Sequence, residues 1–165
     1  VWARKKSVKN YSKLVNSKGV FSSYEIARKA NLMHTLNLMT TLSSGFFNRN
    51  EKSIDQLETY PLSYPDKDIA IAALDRAADY ILKMGFKGKS YWLNKANVFS
   101  LLIAIDDIAS RGLLIDIGSC KTALELFEAN LPEAYKLAAT EAVNSTRSRQ
   151  LRHVHLSEVL LSAIT

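Results

Sequence analysis

The sequence is poor in the residues that force special architectures. It has one cysteine, Cys120, three prolines and six glycines in 165 residues. A single thiol excludes an internal disulfide framework and a cysteine-based zinc site. It fits a reducing compartment, so a cytoplasmic location is expected. So little Gly and Pro excludes a collagenous or low-complexity chain. The longest apolar runs are short, as in Leu101-Leu102-Ile103-Ala104-Ile105. A bilayer-spanning helix needs about 20 apolar residues, so no membrane partner is expected. The chain opens on Val1 without an initiator Met and without a signal-peptide pattern. That opening reads as a processed chain, a cut or a fragment, with functional groups expected upstream.

Against these absences, 47% of the residues are hydrophobic and 23% charged. A chain of this length forms one domain and buries roughly 70% of its unfolded surface. The net charge of +6 is unevenly placed. Residues 1–30 hold eight basic side chains against the single acid Glu25, whereas the rest of the chain is balanced. Such an arm neutralises phosphates and gives salt-dependent nucleic-acid binding. The alternatives are a solvated terminal segment or a surface that docks an acidic neighbour.

Periodicity predicts helices throughout. Ser22 and Glu25 form a capping box, followed by Ile26, Ala30, Met33, Leu36 and Met39 at helical spacing as far as Gly45. Ile54, Leu57 and Tyr60 suggest a short helical face, stopped by Pro61 and Pro65. Asp66 is a candidate N-cap for a helix to about Met84, closed by Gly85. Asn94 caps a helix with Val98, Leu101, Leu102, Ile105 and Ile108, apolar nearly all round and therefore the expected central helix. Ser119 is expected to open the next, Pro132 the one after, running to about Val143. A last helix spans roughly 147–164. The strand-like run Leu113–Ile117 is equally well explained as a buried connector. The expected fold is all-α: one compact domain of about six helices over residues 22–165, preceded by a basic arm over residues 1–21.

Arg147, Arg149 and Arg152 gather at the start of the last helix, where the macrodipole disfavours cations. Backbone N–H groups there attract phosphate, and arginine adds bidentate hydrogen bonds. The cluster is therefore a candidate anion site, the alternative being salt bridges within the domain or to a neighbour. With Arg4, Lys5, Lys6, Lys9 and Lys13 of the arm, these arginines are the candidate nucleic-acid contacts. His153 and His155 point away from each other on a helix, His34 is distant, and no H-E-x-x-H occurs, so no metal site is expected. Asp75 and Asp79 share a helix face that reads as solvated rather than as an acid–base pair. Cys120 beside Lys121 has two readings, a buried structural thiol or a reactive one. Gly85-Phe86-Lys87-Gly88-Lys89 lacks the spacing of a phosphate-binding loop. Tyr91 and Trp92 read as aromatics anchoring the core at a helix entry, with base stacking as the alternative. No catalytic set and no cofactor are expected.

Three stretches carry a resemblance. They are Arg28 to Leu42 with Ile54-Asp55-Gln56-Leu57-Glu58-Thr59-Tyr60; Lys89 to Leu102, with its Tyr91-Trp92-Leu93-Asn94-Lys95-Ala96-Asn97 helix entry; and Tyr135 to Thr140 followed by Arg149-Gln150-Leu151-Arg152 and Leu156. Together they resemble the helical C-terminal part of the GmrSD-type restriction proteins, a family with a ParB/sulfiredoxin-like N-terminal half. The resemblance implies a bacterial anti-phage or restriction role on foreign or modified DNA. It also implies that nucleotide hydrolysis or nuclease chemistry sits in the N-terminal half around a D-G-Q-Q-R-like motif, which this chain does not contain. Where members often have an acid after the helix-entry arginine, this chain has Asn31; Arg149 and Arg152 match the pattern.

The expectation is thus a non-catalytic helical domain. It would support the upstream domain of its parent protein and contact DNA or a partner subunit. The alternatives are a stand-alone basic DNA-binding module and a protein–protein scaffold.

Overall fold

The capping box forms as read. Ser22 Oγ accepts from the Glu25 N–H at 3.3 Å, and the Glu25 carboxylate accepts from the Ser22 N–H at 3.0 Å. The helix it starts is only five residues long, because Lys29 turns the chain through a left-handed conformation, φ 60°. The apolar stripe stays in phase across this break, so periodicity alone reads one helix where there are two.

The computed structural model describes residues 9–164. Among them the elements are α1 (Lys9–Ser17), α2 (Ser23–Ala27), α3 (Ala30–Ser44), α4 (Glu51–Thr59), α5 (Lys67–Met84), a 3₁₀ turn (Tyr91–Leu93), α6 (Lys95–Ser110), α7 (Ile117–Ala129), α8 (Glu133–Thr140) and α9 (Thr146–Ser162). No strand occurs among the described residues. The fold is all-α, with more and shorter helices than the six expected.

The expected boundary between arm and domain moves. Tyr11, Leu14 and Val15, then Val20 and Phe21, are buried in the core, and α1 packs on α5. Asp75 of α5 holds the start of α1, its Oδ1 accepting from the N–H groups of Asn10 at 2.8 Å and Tyr11 at 2.9 Å. A carboxylate there satisfies orphan donors and complements the macrodipole, so Asp75 is a capping residue rather than part of a solvated face. Residues 9–21 thus belong to the domain; the preceding part of the arm lies outside the described residues.

Helix α6 is the centre, packed between α5 and α9 and against α3. Val98, Leu101, Leu102, Ala104 and Ile105 have no exposed surface. Its entry is built by side chains. Asn94 Oδ1 accepts from the Asn97 N–H at 2.8 Å, and its amide donates to the Tyr91 carbonyl at 2.8 Å. Buried Asn97 donates to the same carbonyl at 2.9 Å and accepts from Tyr135 Oη at 2.8 Å, which ties α8 to α6. Trp92 is buried and stacks on Phe127 at 6.3 Å between ring centres. Tyr91 and Trp92 therefore anchor the core. Loss of an N-cap side chain costs about 1 kcal/mol. Asn94→Ala is expected to lower the urea midpoint accordingly, with the slope unchanged.

Three further expectations shift. Asp116, not Ser119, caps α7, its Oδ1 accepting from the Ser119 N–H at 2.7 Å. The Leu113–Ile117 run is a connector as far as Asp116 and only partly buried: Leu114 is 89% exposed, whereas Ile115 and Ile117, the latter already in α7, pack against the core. Helix α8 stops at Thr140, because Glu141 turns extended at φ −114° and ψ 139°, and Ala142 follows at φ 43°. Cys120 is buried, and burial first, then Asp116, pushes its thiol pKa up, the opposite of a reactive thiol.

Candidate anion-binding site

Helix α9 begins in an ordinary way and continues in an unusual one. Ser145 caps it, its Oγ accepting from the Ser148 N–H at 3.1 Å. No acid lies between Glu141 and Glu158, yet this stretch carries Arg147, Arg149 and Arg152. Arg147 is exposed. Arg149 and Arg152, three apart and so on one helix face, are each only 1% exposed.

Buried arginines normally meet a carboxylate, because an unpaired buried charge costs several kcal/mol in lost hydration. No ion pair among the described residues involves either one. Arg149 Nη1 donates to the Phe47 carbonyl at 2.8 Å. Its guanidinium lies 5.0 Å from the ring centre of Phe47 and 4.7 Å from that of Phe99. Its Nε is buried without a hydrogen-bond partner. Arg152 Nε donates to Ser100 Oγ at 2.9 Å and Nη1 to the Ala138 carbonyl. Burial pushes both pKa values down to about 10, which leaves both groups charged at neutral pH.

Both side chains line a cavity of about 460 Å³. One wall is α2 and α3, with Glu25, Ala30, Met33, His34 and Asn37; the second is the start of α6, with Lys95, Ala96 and Phe99. Val143 and Asn144 lead into α9, and Phe21 and Asn50 complete the lining. The lining thus holds three cationic side chains and one carboxylate. That carboxylate, Glu25, is engaged by Lys95 and by the Ser22 cap, and these bonds lower its pKa to about 2.

His34 sits edge-on between Phe21 and Phe99, at 5.2 and 5.7 Å between ring centres. Its Nε2 has no partner. Burial, then the charges of Arg149 and Lys95, lower its pKa from 6.5 to about 3, so the ring is neutral. Asn37 donates to Asn50 Oδ1 at 2.8 Å and accepts from Ser53 Oγ at 2.7 Å, which fixes its amide.

The backbone around this cavity is strained. The non-glycine residues with positive φ among the described residues are Lys29, Arg49 and Ala142. Each directly precedes a lining residue: Ala30, Asn50 and Val143. Arg49 and Asn144 are joined, the Arg49 N–H donating to the Asn144 carbonyl at 2.7 Å. Such conformations cost about 1–3 kcal/mol each and cluster at ligand sites.

The nucleic-acid residues read from the sequence are divided by the fold. Arg4, Lys5 and Lys6 lie outside the described residues. Lys9 and Lys13 are exposed on α1, and Arg147 is exposed at the start of α9. Arg149 and Arg152 face the interior, so they do not join Lys9 and Lys13 on a surface that a duplex meets. Sequence reading does not single out His34, Asn37, Asn50 or Lys95 for this site. One overlooked signal is the acid-free stretch around two arginines three residues apart. His153 packs on Phe46 and His155 on Phe127 and Tyr135. No group of three or more His, Cys, Asp or Glu gathers among the described residues, and none of the described helices is long and apolar enough to cross a membrane. Comparison with known proteins finds no match to a family model, a curated protein or a solved structure.

Proposed function

We propose that this chain is a non-catalytic helical domain that holds an anionic, phosphate-bearing ligand in the cavity beside α9. In this reading it serves a restriction-type defence protein as a supporting body that contacts DNA or a partner subunit. One observation carries the ligand reading: two guanidiniums are buried without a carboxylate and line the same cavity. A bound anion supplies the countercharge that the fold itself withholds. The non-catalytic part is supported by the state of the lining groups. Its carboxylate is bonded to Lys95, and burial, then two neighbouring cations, lowers the imidazole pKa to about 3, which makes it too weak a base for general-base work at neutral pH. The parent protein is argued from the resemblance alone.

Ligand binding to the native state stabilises it by RT ln(1 + [L]/Kd), about 2.7 kcal/mol at a hundredfold excess over Kd. For a domain of this size that is a rise of roughly 5–10 °C in Tm. Inorganic phosphate is expected to raise the Tm of the purified chain towards this limit, relative to sodium chloride of equal ionic strength. Phosphate also stabilises proteins by exclusion from their surface. The site-specific part is therefore the increment that Arg149→Met removes. An equal rise in both proteins overturns the ligand reading, and hydrolysis of ATP, GTP or DNA by the chain alone overturns the non-catalytic one.

A further inference from the structure

The depth, charge and walls of the cavity narrow the ligand class. We propose that it seats a terminal phosphate, a phosphate monoester, against Arg149 and Lys95 with His34 Nε2 as a polar partner, and does not read a phosphodiester backbone. This rests on the anion-binding reading above and deepens it.

Depth is the first argument. Arg149 and Arg152 are each 1% exposed. A backbone diester is flanked by sugars on both sides and needs an open groove to reach a guanidinium. A terminal phosphate has one flank only and reaches so deeply set a group end-on, from a cavity that opens to solvent beside half-exposed Lys95. Charge is the second. The lining carries two cations beyond the Lys95–Glu25 pair. A monoester carries about −1.5 to −2 at neutral pH, close to this excess, whereas a diester carries one negative charge per phosphate.

Hydrogen-bonding capacity is the third. Arg149 Nε and His34 Nε2 are polar atoms without partners, and each nitrogen able to donate suits a phosphoryl oxygen. Arg152 has two nitrogens committed to Ser100 and Ala138, so it contributes chiefly charge. The remaining lining includes Phe21, Met33 and Phe99, apolar and aromatic, fit to cover the sugar or base that carries the phosphate. The volume of about 460 Å³ lies within the usual small-molecule range of roughly 300–1,000 Å³. It exceeds what a lone phosphate fills. The monoester has two sources, a free mononucleotide or the phosphorylated end of a nucleic acid.

The test uses the full 165-residue chain and its intrinsic tryptophan fluorescence or calorimetry. The probes are a nucleoside 5′-monophosphate, its nucleoside, inorganic phosphate, and one single-stranded oligonucleotide with a 5′-phosphate or a 5′-hydroxyl. Charge-assisted bonds to a buried arginine are each worth about 10- to 100-fold. The phosphorylated member of a pair is therefore expected to bind about 100-fold tighter, and Arg149→Met to remove that preference. Lys95→Met, at the half-exposed rim, guards against a misfolded Arg149 variant. It leaves the Glu25 carboxylate uncompensated in the cavity and is expected to weaken the monoester by about tenfold.

Preference for the mononucleotide over its nucleoside, without preference for the 5′-phosphorylated oligonucleotide, supports the monoester and identifies the free nucleotide as its source. Preference in both pairs supports a chain end as a second source. Equal, Arg149-dependent binding of both oligonucleotides overturns the monoester and leaves the anion-binding reading standing. Absence of Arg149-dependent binding for every probe, inorganic phosphate included, overturns both.

Discussion

Arg152→Ala is expected to destabilise the domain by about 3–5 kcal/mol, a large part of the 5–15 kcal/mol that holds a typical domain together. Two effects add. The guanidinium bridges Ser100 of α6 and the Ala138 carbonyl at the end of α8 from its own position on α9. Its removal orphans both acceptors, at roughly 1–3 kcal/mol for each one that water does not reach. Truncation of a long, fully buried side chain also leaves a void, and comparable buried truncations cost about 2–5 kcal/mol. One effect opposes them, because the desolvation penalty of an unpaired buried cation disappears. Arg152→Met separates these contributions, since it keeps most of the volume and removes the charge. Its expected loss is smaller, because the void contribution is mostly absent and the relief of desolvation offsets much of the cost of the two orphaned acceptors. Urea denaturation at neutral pH reads both variants. A loss below about 1 kcal/mol for the alanine variant shows that Arg152 does not clamp the three helices.

The parts of this fold legible in the sequence are those decided within one turn of chain. The Ser22–Glu25 box, the Asn94 cap, the Gly85 C-cap and the all-round apolar α6 each depend on residues three or four apart, and each forms. Two features were hidden for different reasons. The break at Lys29 costs the chain a left-handed residue that no local preference asks for, and the stripe it interrupts remains in register. Helix α1 carries its apolar positions Tyr11, Leu14 and Val15 at helical spacing, but the lysines around them dominate the charge pattern. Tertiary contact with Asp75 then decides the matter.

The candidate site follows the same division. Arginines at the start of a helix are a local anomaly, visible as cations opposed to the macrodipole. Their burial is not local. It follows from Phe47 and Phe99 closing over Arg149 and from Ser100 and Ala138 receiving Arg152. His34, Asn37, Asn50 and Lys95 reach the cavity from α3, the lead-in to α4, and α6. Each is unremarkable in its own segment, and only the packing of α3 and α9 against α6 assembles them.

His34 is expected to report the cavity's charge through changes in its midpoint, on top of a larger shift due to burial. Its folded pKa, about 3, lies below the ordinary 6.5 of an unfolded chain. Between these values the unfolded state binds the proton and the native state does not. The contribution of His34 to stability is therefore fully present above about pH 6.5 and is lost as pH falls towards 3. Glu25 adds a loss of its own only below its unfolded value of 4.5, as pH falls towards 2. The interval from 6.5 to 5 thus belongs to imidazoles. His153, whose pKa burial also lowers, shares that interval, so the slope that disappears in His34→Phe is the part due to His34. Burial is the largest cause of the His34 shift, followed by the charges of Arg149 from α9 and Lys95 from α6, with the carboxylate of Glu25 on α2 and the rings of Phe21 and Phe99 also facing the cavity. Arg149→Met removes one of the two cations that oppose the imidazolium, so the His34 midpoint, followed by NMR, is expected to rise. Saturation with a phosphate monoester places negative charge in the same cavity and is expected to raise it in the wild-type chain as well. A purely structural Arg149 has no reason to make the second rise depend on it. His34 titrating near 6.5 in both proteins, with and without phosphate, would show that the cavity does not hold the concentrated positive charge on which the anion-binding reading depends.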